Sequence, residues 1–183
     1  MIVKKLFLTY LLLAVSGGCF SLDMSGVLKS MPDSVLPLLT LNNRLDCIDY
    51  LNSGMKAVVV NRLAGKSEMT VLTEDYACIA NSQVSKVDMK LLPYNDDVVI
   101  AVVNSVTIDN KYTDSDIFFY SSDWKRLDGT LFSLDTDPDT FYEYQFSPSN
   151  TNLTIKVTEP LKLDDPKTSH ETVMRWENGR FVR

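Results

Sequence analysis

The sequence predicts an α+β fold: N-terminal helices packed on an antiparallel β-meander, with a short helix in the second half. Three observations carry that expectation. Residues 30–54 combine helix-start chemistry, apolar spacing of three and four residues, and a glycine stop. Residues 56–120 break into short β-branched and aromatic runs separated by turn signals. No low-complexity segment or linker interrupts the chain beyond its first 21 residues.

Residues 1–21 read as a signal peptide. Lys4 and Lys5 precede the apolar run Leu6–Val15, which is too short for a stable membrane span. The preferred route is cleavage before Leu22, with Cys19 and Ser21 as small residues ahead of the cut. The alternative reads Ser16-Gly17-Gly18-Cys19 as a degenerate lipid-attachment box with an acylated Cys19. Residues 22–183 are expected to form one α+β domain without a membrane span, periplasmic or secreted, or an outer-membrane lipoprotein by the second route. FFYSSDWKRL and MRWENGRFV echo each other weakly, so two similar half-units with a boundary near 125–135 are the variant of that organisation.

In the helical stretch, Ser30 with Asp33 fits a capping box and Pro32 fits a first turn. Pro37 should end that short helix near Leu36. Leu41, Leu45, Ile48 and Leu51 then recur on one helical face, with Asn42 or Asn43 as cap and Gly54 in the left-handed position after the last turn. Asp46 and Asp49 share a face, but no histidine or third ligand joins them, so a solvated acidic face is expected.

The strands follow. Lys56–Leu63 turns at Ala64-Gly65-Lys66 into Met69–Thr73, and Tyr76–Ala80 is an apolar strand. Val87, Met89 and Leu91 alternate with Asp88 and Lys90, which predicts a strand with one wet face. Pro93–Asp97 is a turn. Val98–Val103 is apolar on both faces and is read as the central strand, covered on both sides. Ile117–Tyr120 is a further strand. Residues 134–139 resemble a calcium loop in carboxylate spacing. Thr140, however, stands where glycine is required and Phe146 where a bidentate Glu is needed. Asp137 and Pro138 therefore read as the start of a helix through Thr140–Tyr144. Leu153–Val157 is a strand, Asp164-Asp165-Pro166 a turn, and Thr172–Trp176 with Arg180–Val182 a hairpin closed by Asn178-Gly179.

The segment MPDSVLPLLTLNNRLDCIDYLNSGMKAVVVNRLAGKSEMTVL, with MKLLPYND and IFFYSSDW further on, resembles a family of uncharacterised secreted proteins of Bacteroidales, known as a domain of unknown function. The resemblance spans roughly Met31 to Trp124. It implies a Gram-negative envelope protein and brings no catalytic residues.

Charge and composition narrow the chemistry. Loss of Lys4 and Lys5 takes the 18 basic residues to 16 against 24 acidic, a formal charge of −8. That balance argues against nucleic acid and anionic membrane surfaces as partners. Cys47 and Cys78 are expected as packed thiols, with a disulfide as the alternative. The single histidine, His170, lacks zinc-ligand companions and a nucleophile elbow and is expected to face solvent. None of the 7 glycines builds a phosphate loop. Asp96/Asp97 and Asp114/Asp116 read as solvated turn carboxylates. Aromatic residues near turns are the one feature with binding character: Phe141, Tyr142 and Tyr144, and above all Tyr94, Tyr120, Trp124 and Trp176. No catalytic residue, metal or cofactor is expected. The function expected is a non-enzymatic envelope module that binds a protein, peptide or glycan. An acidic-site hydrolase acting on glycan or peptide is the alternative.

Overall fold

The computed structural model describes residues 22–108, 111–159 and 169–183. Within them lie two short helices, α1 (Met24–Ser30) and α2 (Leu41–Asn52), then ten strands. Strands β1 (Ala57–Val60), β2 (Lys66–Leu72), β3 (Tyr76–Ala80), β4 (Ser85–Tyr94), β5 (Asp97–Ile108) and β6 (Tyr112–Ser121) form one antiparallel meander in sequence order. Strands β7 (Phe141–Phe146), β8 (Leu153–Thr158), β9 (Ser169–Glu177) and β10 (Arg180–Val182) form a second. The α+β expectation is therefore corrected to a mostly β protein of two antiparallel sheets. The largest single revision is Thr140–Tyr144. Asp137 and Pro138 build a turn, closed by Thr140 N–H to Asp137 O at 3.1 Å, and strand β7 starts at Phe141. Tyr144 and Phe146 point inward while Glu143 and Gln145 alternate outward, a strand period that suits an aromatic run better than a helix does.

The helices keep much of their expected chemistry but shift their ends. Asp23 caps α1, accepting from Gly26 N at 2.8 Å, so Ser30 closes that helix and does not start one. Residues 32–39 are turns. Thr40 caps α2, and Asn43 completes the reciprocal box. Gly54 sits at φ 70°, as the glycine-stop reading requires. The buried face of α2 is Arg44, Cys47 and Ile48, whereas Leu41 is 43% exposed, so the apolar stripe is rotated from the expected one. Arg44 is the reason. Its guanidinium is buried and donates to Leu28 O, Met31 O and Leu39 O at 2.7–3.0 Å, gathering carbonyls around the C-terminal end of α1.

The first sheet is covered on both faces. Ile100, Val102 and Met89 pack under α1 and α2. Val99, Ala101 and Val103 pack against Phe146, Leu153 and Phe181 of the second sheet. Val98–Val103 is thus two-sided, as its lack of alternation indicates, although β5 lies beside the sheet's edge strand and not at its centre. The wet face expected for β4 is absent: Asp88 and Lys90 are both 0% exposed, because the second sheet lies over that side. Asp114 and Asp116 stand on β6 and not in a turn. The C-terminal hairpin is as read, with Asn178 and Gly179 at φ 51° and 77°, the geometry of a two-residue hairpin turn. The Asp164–Pro166 turn, the signal segment and Cys19 lie outside the described residues.

Candidate functional site

Three turns meet at one end of the two-sheet stack. The β4–β5 turn brings Pro93, Tyr94 and Asn95, the β7–β8 connection brings Thr151, and the β9–β10 hairpin brings Trp176, Asn178 and Gly179. Between them lies a cleft of about 480 Å³ lined by Pro93, Asn95, Thr151, Trp176, Asn178 and Gly179. Asn95, like Asn178, is left-handed (φ 52°), a conformation that asparagine tolerates better than most residues. The Trp176 indole N–H donates to Pro93 O at 2.6 Å, tying the second sheet's hairpin to the first sheet's turn. Its ring meets Phe181 edge-on, centroids 5.0 Å apart. Tyr94 lies against the hairpin backbone: a Cβ on Gly179 would stand 2.4 Å from Tyr94 Cε2. Only glycine permits that contact at that φ.

The four aromatic residues singled out in the sequence therefore divide into two pairs. Trp176 lines this cleft, and Tyr94 borders it only through its contact with Gly179. Tyr120 and Trp124 meet on the other side of the first sheet, rings 5.5 Å apart, packed against the core beneath the helices. Trp124 holds φ 63°, and its indole N–H donates to Ser30 Oγ at 3.2 Å, pinning the exit of β6 to the end of α1. A bulky residue is held left-handed only where its surroundings fix it. Phe141 stacks on Tyr112 at 4.8 Å.

Carboxylates gather elsewhere. Asp114, Asp116 and Asp137 border a hollow of about 340 Å³ beside Tyr142 and Tyr144. Asp114 Oδ1 accepts from Tyr142 N at 3.3 Å and Ser115 Oγ from Tyr144 N at 3.2 Å, so side chains stand in for a backbone ladder between β6 and β7. Burial, with Tyr142, Asp114 and Asp116 nearby, pushes the Tyr144 phenol up to about 12. His170 is on β9, exposed, at a neighbouring hollow of about 210 Å³ with Asp135, Glu159 and Arg183. Asp137 turns its own chain, Oδ1 accepting from Asp139 N at 2.9 Å. Asp46 and Asp49 are exposed.

Sequence reasoning missed a buried polar cluster between the sheets. Tyr76 Oη donates to Asp88 Oδ1 at 2.9 Å, and Lys86 Nζ lies 3.0 Å from Asp88 Oδ2. Lys90 Nζ lies 2.7 Å from Asp75 Oδ2 and 5.8 Å from the Tyr76 ring centre. Both ammonium groups reach ion-pair distance, but Lys90 Nζ and Asp88 Oδ2 lack a hydrogen-bond alignment. Burial and the Asp88 charge push the Tyr76 phenol and the Cys78 thiol up. Asp88 and Lys90 are sealed from solvent and join the layers, while their partners Lys86 and Asp75 reach the surface. Cys47 and Cys78 are free thiols on opposite sides of the first sheet.

A helix-capped stack of two antiparallel meanders, with an uncharged cleft beside Trp176 at its turns, is a β-sandwich scaffold, an architecture that presents ligand sites on loops. The chain belongs to the DUF3256 family, described as proteins of unknown function, whose model matches residues 17–158. That match extends past Met31–Trp124 on both sides and ends before β9. The chain is also similar to the solved structure of a domain of an uncharacterised protein from Porphyromonas gingivalis W83, of the Bacteroidales, at 25% identity. The likeness covers 89% of this chain and 98% of that one, with a TM-score of 0.75. No functionally curated protein matches the chain. Among the described residues, no helix is long and apolar enough to cross a membrane.

Proposed function

We propose that this chain is an exported cell-envelope protein that works as a non-catalytic binding module, with its ligand at the three-turn cleft. The observation that carries the reading is the meeting of Tyr94, Asn95, Thr151, Trp176 and Asn178 at one end of two otherwise separately wound sheets. Loops on a rigid β scaffold are where such proteins place their contacts. Export is supported by Lys4 and Lys5 ahead of Leu6–Val15.

Two measurements test this. Fractionation of the native cell with intact-mass analysis should place a chain beginning at Leu22 in the envelope; a retained Met1 in the cytoplasm contradicts export. Titration of the isotope-labelled chain with solubilised envelope saccharides and peptides should shift amide resonances around residues 93–96, 151 and 176–179 and leave the added fragments intact. Hydrolysed fragments, or shifts centred on Asp114, Asp116 and Asp137, would transfer the case to the hydrolase reading.

A further inference from the structure

We propose that the cleft takes an uncharged carbohydrate, an inference that rests on the cleft being the binding site. None of its six lining residues carries a charge. Asn95 and Asn178 are exposed at the tips of their turns, and among the described residues the side chains of Asn95, Asn178 and Thr151 have no hydrogen-bond partner. Each amide offers two donors and a carbonyl acceptor, and the hydroxyl offers both roles. That set suits a ligand whose rim alternates donors and acceptors, as sugar hydroxyls do.

The aromatic component has the complementary property. Trp176 spends its only donor on Pro93 O, so what it offers a ligand is ring surface. Its tilt is set by Phe181 beneath it and by the bond to Pro93, so little side-chain freedom is left to lose on binding. A rigid aromatic ring beside fixed amides matches the two surfaces of a pyranose: apolar C–H faces and a polar rim. Tyr94, 39% exposed, lies against Gly179, one of the lining residues.

Two other ligand classes fit worse. An anion would meet no cation in the lining, with Asp96 in the adjoining turn and a chain of net charge −6. An extended peptide held by strand addition needs free backbone donors and acceptors. Pro93 has no N–H and its carbonyl is taken by Trp176, so strand addition would fall to the outer edge of β10 and leave the Asn95 and Asn178 amides without a role.

The test is a resonance titration of the full chain with three probes: a neutral β-linked oligosaccharide series, its uronic-acid counterparts, and a mixed tripeptide library. The neutral series should shift the Trp176 indole and the side-chain amides of Asn95 and Asn178, and the other two should not. Asn95→Gly and Asn178→Gly remove each amide while keeping the left-handed turn, so each should weaken neutral-sugar binding by about tenfold without altering the fold. Shifts at the cleft from the peptides or uronic acids alone overturn the carbohydrate assignment and leave the binding-module reading standing. A cleft silent to all three probes, with envelope material binding elsewhere, overturns both. Unchanged affinity in the two glycine variants also overturns the assignment.

Discussion

Ile100→Asp and Val103→Asp probe the two faces of β5 separately. Both positions are 0% exposed, Ile100 under the helices and Val103 under the second sheet. Losing the buried aliphatic chain costs about 2 kcal/mol. The new carboxyl escapes burial of its charge by staying protonated, which caps the ionisation cost at pH 7 at about 4 kcal/mol, from a reference near 3.9. Each variant should therefore lose about 4–6 kcal/mol, much of a domain's usual ~5–15 kcal/mol. The pH dependence has a definite sign. The folded carboxyl keeps its proton between about pH 4 and 7 while the unfolded one releases it, so the deficit relative to the parent grows as pH rises. Urea denaturation at two pH values reads both quantities, with Val106→Lys as the control, a charge at a 48% exposed position of the same strand that faces Asp114 across the ladder, expected within about 0.5 kcal/mol. A loss below about 1 kcal/mol at either buried position would mean that face is wet, and the two-sided account would fail.

Other expectations follow from single sites. Gly54→Ala should cost about 1 kcal/mol by denaturation, since φ is 70° and nothing lies within 4 Å of the added methyl; Gly179→Ala should cost more and displace Tyr94, visible in the tyrosine near-UV signal. Tyr144 keeps its proton up to about pH 12 while an unfolded tyrosine releases it near 10, so stability should fall across that window, and Tyr144→Phe should remove up to about 3 kcal/mol of the fall. Asp33, held low by its hydrogen bond to Arg44 and by Arg62, stabilises the fold above about pH 4, an effect lost as pH drops further; acid titration of Asp33→Asn should show a shallower decline.

What was legible in the sequence was local: the Asn178-Gly179 hairpin, the Gly54 stop and the lack of alternation in Val98–Val103 each have one physical cause within a few residues. What was not legible depends on contacts distant in the chain. Asp88 and Lys90 look solvent-facing beside Val87 and Met89, and only the second sheet, more than fifty residues later, buries them. Arg44 looks like a surface cation until the carbonyls of α1 close around it. Asp137-Pro138 is good helix-start chemistry, but the aromatic run after it finds more burial as strand β7. Tyr94 and Trp176 were visible as aromatic residues near turns. That Trp176 lines a cleft and Tyr94 abuts its Gly179, while Tyr120 and Trp124 serve the opposite face, required the pairing of the two hairpin ends.

Both tryptophans tie parts of the fold, but only the turn end carrying Trp176 is proposed to bind, and that is the central claim. Trp176→Ala and Trp124→Ala, each scored for thermal midpoint and for binding of the neutral oligosaccharide series, test it most directly. Trp176→Ala should also lower the midpoint, because it releases Pro93 and Phe181, yet still fold, and lose binding by at least about tenfold. Trp124→Ala should lower the midpoint, by releasing the contacts to Tyr120 and Ser30, and bind as the parent does. Binding that survives in Trp176→Ala and disappears in a folded Trp124→Ala would contradict the account and move the site to the helix side of the first sheet.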